Sequence, residues 1–126
     1  MEEDNDVDLT PYKEQSRQSG IDWCEKHYYK FEDVERFFGA PFGSMRMNLD
    51  ELLVLLSYGH ELEITYKGWD AFITPFGIFG FRAESTNGEQ KQEYECVDIE
   101  EFADNAKVGP YFIKHIVGDW RVTALF

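Results

Sequence analysis

Carboxylates are the reactive groups that this sequence concentrates most strongly. Between residues 84 and 104, eight acidic residues stand against a single basic one, Lys91, which gives this window a net charge of −7. A ridge of carboxylates can imitate the phosphates of a nucleic acid and occupy a basic groove, whereas the simpler alternative is an acidic surface that only promotes solubility. The candidate partner-binding residues are Glu84, Glu89, Glu93, Glu95, Asp98, Glu100, Glu101 and Asp104.

Motifs for catalysis or metal binding are missing from the sequence. His27, His60 and His115 form no H-x-x-x-H or H-E-x-x-H pattern, and neither G-x-S-x-G nor a phosphate-binding loop occurs. Cys24 and Cys96 lie outside any zinc-knuckle spacing, and we expect reduced, partly buried thiols. The sequence therefore predicts no catalytic residue, no metal site and no cofactor, and a protein that is not an enzyme.

Composition predicts a folded, acidic protein. The chain has 126 residues, of which 43% are hydrophobic and 17% aromatic, and 12 basic residues against 25 acidic ones give a net charge of −13. This length suits one domain with its own core, and the charge disfavours direct contact with nucleic-acid phosphates. The sequence has neither a signal segment nor a membrane span, so we expect a cytoplasmic protein with a basic protein partner.

The sequence predicts that the chain consists of an N-terminal arm and one domain. Residues 1–19 are predicted to be a mobile acidic arm whose deletion leaves the melting temperature nearly unchanged, and residues 20–126 a single domain. Asp22 begins a D-x-x-E capping pattern, followed by one helix or by two helices that break near Tyr28 and Tyr29.

A leucine-rich helix is the clearest single element. Asn48 and Glu51 have the spacing of a capping box, and Gly59 ends the helix. Val54 and Leu55 are expected to lie off the apolar face of this helix and to tolerate substitution. The apolar face is expected to pack on the sheet, and it consists of Leu49, Leu52, Leu53 and Leu56.

Alternation of apolar and polar residues then predicts an antiparallel meander. Asn87-Gly88 indicates a type I′ hairpin, Asp98 begins a short helix, and Trp120–Phe126 reads as a last edge strand. Glu93 and Glu95 point the same way on their strand, and the short helix adds carboxylates near them. The fold class is thus α+β, with about four meander strands, helices packed mainly on one face, and an acidic N-terminal extension. The meander strands are Leu62–Tyr66, Trp69–Pro75, Ile78–Glu84 and Lys91–Val97.

Two stretches, NLDELLVLLSYGHELEITYKGWDAFITP and VDIEEFADNAKVGPYFIKHIVGDWRV, together span most of residues 48–126. They resemble a small family of uncharacterised proteins from Gram-positive bacteria and their phages, in which a leucine helix ends in a Gly-His-Glu corner before a hairpin. The acidic N-terminal extension and the segment PFGIFGF depart from that pattern. In general character the chain is similar to phage inhibitors of host defence, including anti-CRISPR proteins that block Cas9 by imitating DNA.

Three functions remain open at this point. The leading hypothesis is an acidic binding protein that inhibits a basic nucleic-acid-binding protein, such as a Cas9-type nuclease, by nucleic-acid mimicry. The second is an immunity protein or antitoxin that neutralises a basic nuclease toxin. The third is a small enzyme or ligand-binding protein whose pocket is lined by Trp69, Phe72, Phe76, Phe79 and Phe81.

Overall fold

A computed structural model describes residues 10–75 and 78–126, which combine helices with an antiparallel sheet. No helix in these ranges is long and apolar enough to cross a lipid bilayer. Within them the helices are α1 (Thr10–His27), α2 (Leu49–Ser57), α3 (Ile99–Asn105) and α4 (Ile113–Ile116), and short 3-10 turns cover Phe31–Asp33, Glu35–Phe37 and Phe42–Ser44. The strands are β1 (Leu62–Tyr66), β2 (Trp69–Thr74), β3 (Phe79–Ser85), β4 (Lys91–Cys96), β5 (Lys107–Val108), β6 (Tyr111–Phe112) and β7 (Arg121–Leu125).

Five of the described strands form one antiparallel sheet in the order β4-β3-β2-β1-β7. The consecutive strands β1 to β4 are the predicted meander, and β7 returns to pair with β1 at the edge. The α+β class is therefore confirmed, as is the final edge strand. The short strands β5 and β6 pair separately as a small ribbon.

Two of the hairpin turns of the meander lie entirely within the described residues, and one of them differs from the prediction. A type I′ turn needs a positive φ at both central residues, and Lys67 (42°) with Gly68 (86°) meets this requirement between β1 and β2. Among the non-glycine residues with positive φ, Asn87 does not appear, so the β3–β4 hairpin is confirmed but its predicted turn type is wrong. The reason is loop length, because the Ser85 N–H bonds to the carbonyl of Gln90 and closes a longer loop.

Helix α2 begins as its sequence predicts. The Glu51 N–H donates to Asn48 Oδ1 at 2.8 Å and the Asn48 N–H donates to Glu51 Oε1 at 2.9 Å, which completes the capping box. The expected tolerance of Val54 and Leu55 is wrong, since both are fully buried. Helix α1 and the first 3-10 turn pack against α2, which is consistent with its burial on more than one side.

Helix α1 crosses the predicted boundary at residue 19. Residues 1–9 lie outside the described residues, but residues 10–19 are helical, and the mobility of the arm stays a prediction. The capping role expected of Asp22 is wrong, because Asp22 lies inside α1 and its carboxylate accepts a hydrogen bond from Gln18 Nε2 at 2.7 Å. Of the two alternatives left open, one continuous helix is wrong, because α1 ends before Tyr28, whose φ is 62°, and 3-10 turns take the place of a second helix.

Strand alternation gives the sheet a covered face and an open face. The covered face packs against the helices and contains Leu62, Ile64, Ala71, Ile73, Phe79, Phe81 and Ala83. On the opposite face the side chains point away from the helices. We call this side the open face; it comprises Glu61, Glu63 and Thr65, then Asp70, Phe72 and Thr74, then Gly80, Arg82 and Glu84, then Lys91, Glu93 and Glu95, with Arg121, Ala124 and Phe126 at the β7 edge.

Candidate functional site

Strand pairing arranges the open face in rows that run across the sheet. The central row consists of Glu63, Phe72, Arg82 and Glu93, each paired with the next across neighbouring strands. Adjacent strands lie about 4.8 Å apart, and alternate residues on one strand lie about 6.8 Å apart. Two further rows flank the central one; the first is Thr65, Asp70, Glu84 and Lys91, and the second is Thr74, Gly80 and Glu95.

The open face carries more acid than base. Among the residues that the structure describes, one ion pair lies within this face; it joins Arg82 Nε and Glu93 Oε1 at 3.4 Å, and both side chains are mostly exposed, at 80% and 65%. An exposed pair of this kind contributes at most about 1 kcal/mol to stability, so it leaves both groups available to a partner. Among the described residues, six carboxylates stand here against three cations: Glu61, Glu63, Asp70, Glu84, Glu93 and Glu95 against Arg82, Lys91 and Arg121.

Two surface pockets lie on this face, and Phe72 and Arg82 line both of them. The larger, of about 480 Å³, is bordered by the carboxylates of Glu63, Asp70, Glu84 and Glu93. The smaller, of about 350 Å³, has Glu61 and Glu95 at its rim and Gly80 in its lining. A Cβ at Gly80 would overlap the Tyr94 carbonyl oxygen, so close packing of β3 against β4 requires glycine there.

The predicted partner-binding residues fall into separate groups. Glu84, Glu93 and Glu95 lie together on the open face, and Glu89 lies in the β3–β4 loop, where its N–H donates to Asn87 Oδ1 at 2.9 Å. The remaining four, Asp98, Glu100, Glu101 and Asp104, belong to α3 and its cap.

Packing explains why α3 does not extend the carboxylates of β4. Ile99, Phe102 and Ala103 are buried, and the Phe102 ring lies 6.3 Å from that of Tyr94 on the covered side of β4. The exposed carboxylates of α3 therefore belong to the helical layer, whereas Glu93 and Glu95 point to the other side of the sheet. The single ridge expected from the sequence is divided between the two sides.

Asp98 has a structural task in addition to its charge. Its Oδ1 accepts the Glu100 N–H at 2.8 Å and the Glu101 N–H at 3.4 Å, so it caps the first turn of α3. The Ile99 N–H donates to Ser19 Oγ at 2.9 Å, which joins the same helix end to α1. The capping position predicted for Asp98 is confirmed.

Sequence reasoning missed three carboxylates of the open face and assigned its aromatic residue, Phe72, to a different candidate site. Glu61, Glu63, Asp70 and Phe72 lie outside the acidic window, because that window was defined by density along the chain. The signal that could have found them is the hairpin register, since the turn at Lys67-Gly68 places Glu63 opposite Phe72.

The aromatic residues considered as a pocket lining do not form one pocket. Trp69, Phe79 and Phe81 are buried on the covered side, and Phe72 is half-buried on the open face. Phe76 lies outside the described residues. The residues in the described part of this set therefore belong to two different faces of the sheet.

Both cysteines are free and buried. Burial raises the pKa of Cys96 to about 11, and it also raises the pKa of Cys24 above the ordinary value for a thiol. Both side chains are therefore protonated thiols at neutral pH. In the part of the chain that the structure describes, no three His, Cys, Asp or Glu residues come together as metal ligands.

Comparison with known proteins adds no relative from which a role could be transferred. No protein-family model matches the chain, and neither a curated protein nor a solved structure matches it. The resemblance to a phage and bacterial family therefore stays a prediction.

Proposed function

We propose that this protein is an acidic binding protein that inhibits a basic nucleic-acid-binding protein by occupying its nucleic-acid groove with the open face. The observation that carries the proposal is the surplus of carboxylates on the side of the sheet that no described helix covers. Complementary charge accelerates encounter with a basic groove and fixes the orientation of the complex. A Cas9-type effector offers such a groove, because it holds nucleic acid in a positively charged channel, and it implies a cytoplasmic inhibitor.

The spacing of the carboxylates supports mimicry of a phosphate backbone. Phosphates of one DNA strand follow one another every 3.4 Å along the helix axis and also rotate about it, so the straight-line distance between neighbouring phosphates is roughly twice this rise. Glu93 and Glu95 are two residues apart on β4, which is also about 6.8 Å, and glutamate side chains can adjust further. Exposed charges contribute little individually, so several must act together on the partner.

A DNA-displacement experiment tests this proposal. A Cas9-type effector loaded with guide RNA is bound to fluorescent duplex DNA, and release of the DNA is followed by anisotropy as the protein is added. Hydrogen-bonded charge pairs contribute about 1.5–3 kcal/mol each, so the double variant Glu93→Lys/Glu95→Lys should need at least about 100-fold more protein to release the DNA. The control Glu100→Lys/Glu101→Lys changes the net charge equally on α3 and should act like wild type.

Comparison of the two variants separates the effect of the position of the charge from the effect of the total charge of the protein. Equal loss of inhibition in both would show that net charge alone matters, and loss only in the α3 variant would move the binding surface to the helical side. If wild type releases no DNA, a Cas9-type effector is excluded as the partner. The same two variants would then be tested for inhibition of a basic nuclease that needs no guide.

A further inference from the structure

Phe72 occupies the centre of the open face. It is half-buried in the central row between Glu63 and Arg82, and its ring centroid lies 6.1 Å from that of Phe126, which is 57% exposed. Partly exposed aromatic side chains surrounded by charged residues are typical anchors of protein interfaces. The centre of this acidic face is therefore apolar, whereas its surroundings are charged.

The ring of Phe72 is not covered by a cation of the described chain, although other rings are. Arg36 lies 4.3 Å from the centroid of the Phe37 ring, and Lys107 Nζ lies 4.5 Å from that of Phe112. Arg82 is the direct cross-strand neighbour of Phe72, but its guanidinium is directed to Glu93. The face of Phe72 thus remains accessible to a cation from outside.

A carboxylate with spare hydrogen-bonding capacity lies beside this ring. Within the described residues, Glu63 pairs with Phe72 across β1 and β2 and forms no salt bridge. By contrast, Glu93 is paired with Arg82, and Glu61 accepts a hydrogen bond of 2.6 Å from the Thr74 hydroxyl. Glu63 is therefore the carboxylate best placed to receive a second group above Phe72.

The combination of an aromatic face and a neighbouring carboxylate suits one side chain better than any other. A guanidinium is planar, so it can stack on a ring while it donates two parallel hydrogen bonds to a carboxylate. An ammonium is a compact, strongly hydrated charge that cannot make both contacts with the same geometry. The site should therefore distinguish arginine from lysine.

We propose that the centre of the open face is a binding site for an arginine side chain of the partner, whose guanidinium stacks on Phe72 and bonds to Glu63. This inference rests on the proposed function and deepens it by naming the side chain that is recognised. Arg82 lies next to the site and repels an incoming guanidinium, so it sets the affinity without forming part of the contact.

Calorimetric titration with two peptides tests the site. Full-length protein is titrated with acetylated deca-arginine and with acetylated deca-lysine, which carry the same charge. Cation–π contacts of this kind support a preference of about 3- to 10-fold for deca-arginine. Phe72→Leu should remove the preference for deca-arginine and leave the binding of deca-lysine nearly unchanged. Glu63→Gln, which keeps the ring of Phe72, should reduce the preference for deca-arginine. Arg82→Gln should raise the affinity for deca-arginine several-fold.

Phe112→Leu is the matched control, because its ring is half-buried and already covered by Lys107 and Lys114. It should keep the full preference, and a thermal melt of each variant confirms that it is folded. Equal binding of the two peptides by wild type, or a preference that survives both Phe72→Leu and Glu63→Gln, would overturn the arginine site. If wild type binds both peptides equally and Glu93→Lys/Glu95→Lys abolishes that binding, the proposed function stands without the arginine site. If wild type binds neither peptide, the arginine site and the proposed function both fail.

Discussion

The covered and open faces of the sheet are built from the same strands, yet they carry different chemistry. On the covered face, Ile73 and Phe81 are at most 4% exposed and pack among the helices. On the open face, the intervening residues Phe72 and Arg82 pair with each other and meet no helix. Because the two sets share strands, turns and register, the difference arises from alternation alone. It follows that stability and binding can be changed separately by substitution on one face or the other.

The glutamate pairs of β4 and α3 also lie close together in the sequence but on different sides of the sheet. Both segments carry pairs of glutamates, at 93 and 95 and at 100 and 101, within a few residues of chain. Burial of Ile99 and Phe102 fixes the orientation of α3 and turns its carboxylates away from the open face. Equal charge density along a sequence therefore does not mean a shared surface.

Substitution in the helical layer that supports the covered face should have the largest effect. Leu53 is 2% exposed within α2, so Leu53→Asp would bury a charge with no partner and is expected to unfold the protein. Circular dichroism during heating measures this. A soluble variant that melts cooperatively near the wild-type temperature would show that α2 is not part of the core.

A matched pair of phenylalanines compares the two faces directly. Phe81 is 4% exposed on the covered face, and Phe81→Ala should cost about 3–5 kcal/mol of unfolding free energy because it leaves a cavity. Phe72→Ala removes a half-buried ring from the open face and should cost about 1 kcal/mol. Urea denaturation gives both values, and equal costs would mean that the open face also contributes to the core.

Removal of residues 1–19 should have a moderate effect, contrary to what the sequence alone predicts. The deletion would take away the first half of α1, including buried Ser16 and the Ser19 hydroxyl that accepts the Ile99 N–H. Loss of that acceptor costs about 1–3 kcal/mol, so the melting temperature should fall by several degrees. The single variant Ser19→Ala isolates the hydrogen bond, and an unchanged melting temperature in both would show that this end of α1 adds no stability.

Local signals in the sequence predict much of the fold. The capping box at Asn48 and the cap at Asp98 depend only on nearby residues, and the alternation in β1 to β4 is equally local. The burial of Val54 and Leu55 could not be predicted in this way, because it depends on tertiary packing around α2, and α1, which packs against α2, carries little apolar periodicity of its own.

The candidate site was only partly predictable for the same reason. Glu93 and Glu95 share a face because they are two residues apart on one strand, which the sequence alone indicates. Contributions from Glu63 and Phe72 require the cross-strand register, and the exclusion of α3 requires the side on which that helix packs. Both of these are tertiary properties.

The salt dependence of binding tests most directly whether the open face is the binding surface. The dissociation constant for deca-arginine is measured between about 25 and 200 mM KCl for wild type, Glu93→Gln/Glu95→Gln and Glu100→Gln/Glu101→Gln, since screening weakens contacts between charges. We expect steep weakening in wild type and in the α3 variant, and a shallower slope with lower affinity in the β4 variant. Equal slopes in all three proteins, or a shallower slope only in the α3 variant, would contradict a binding surface on the open face.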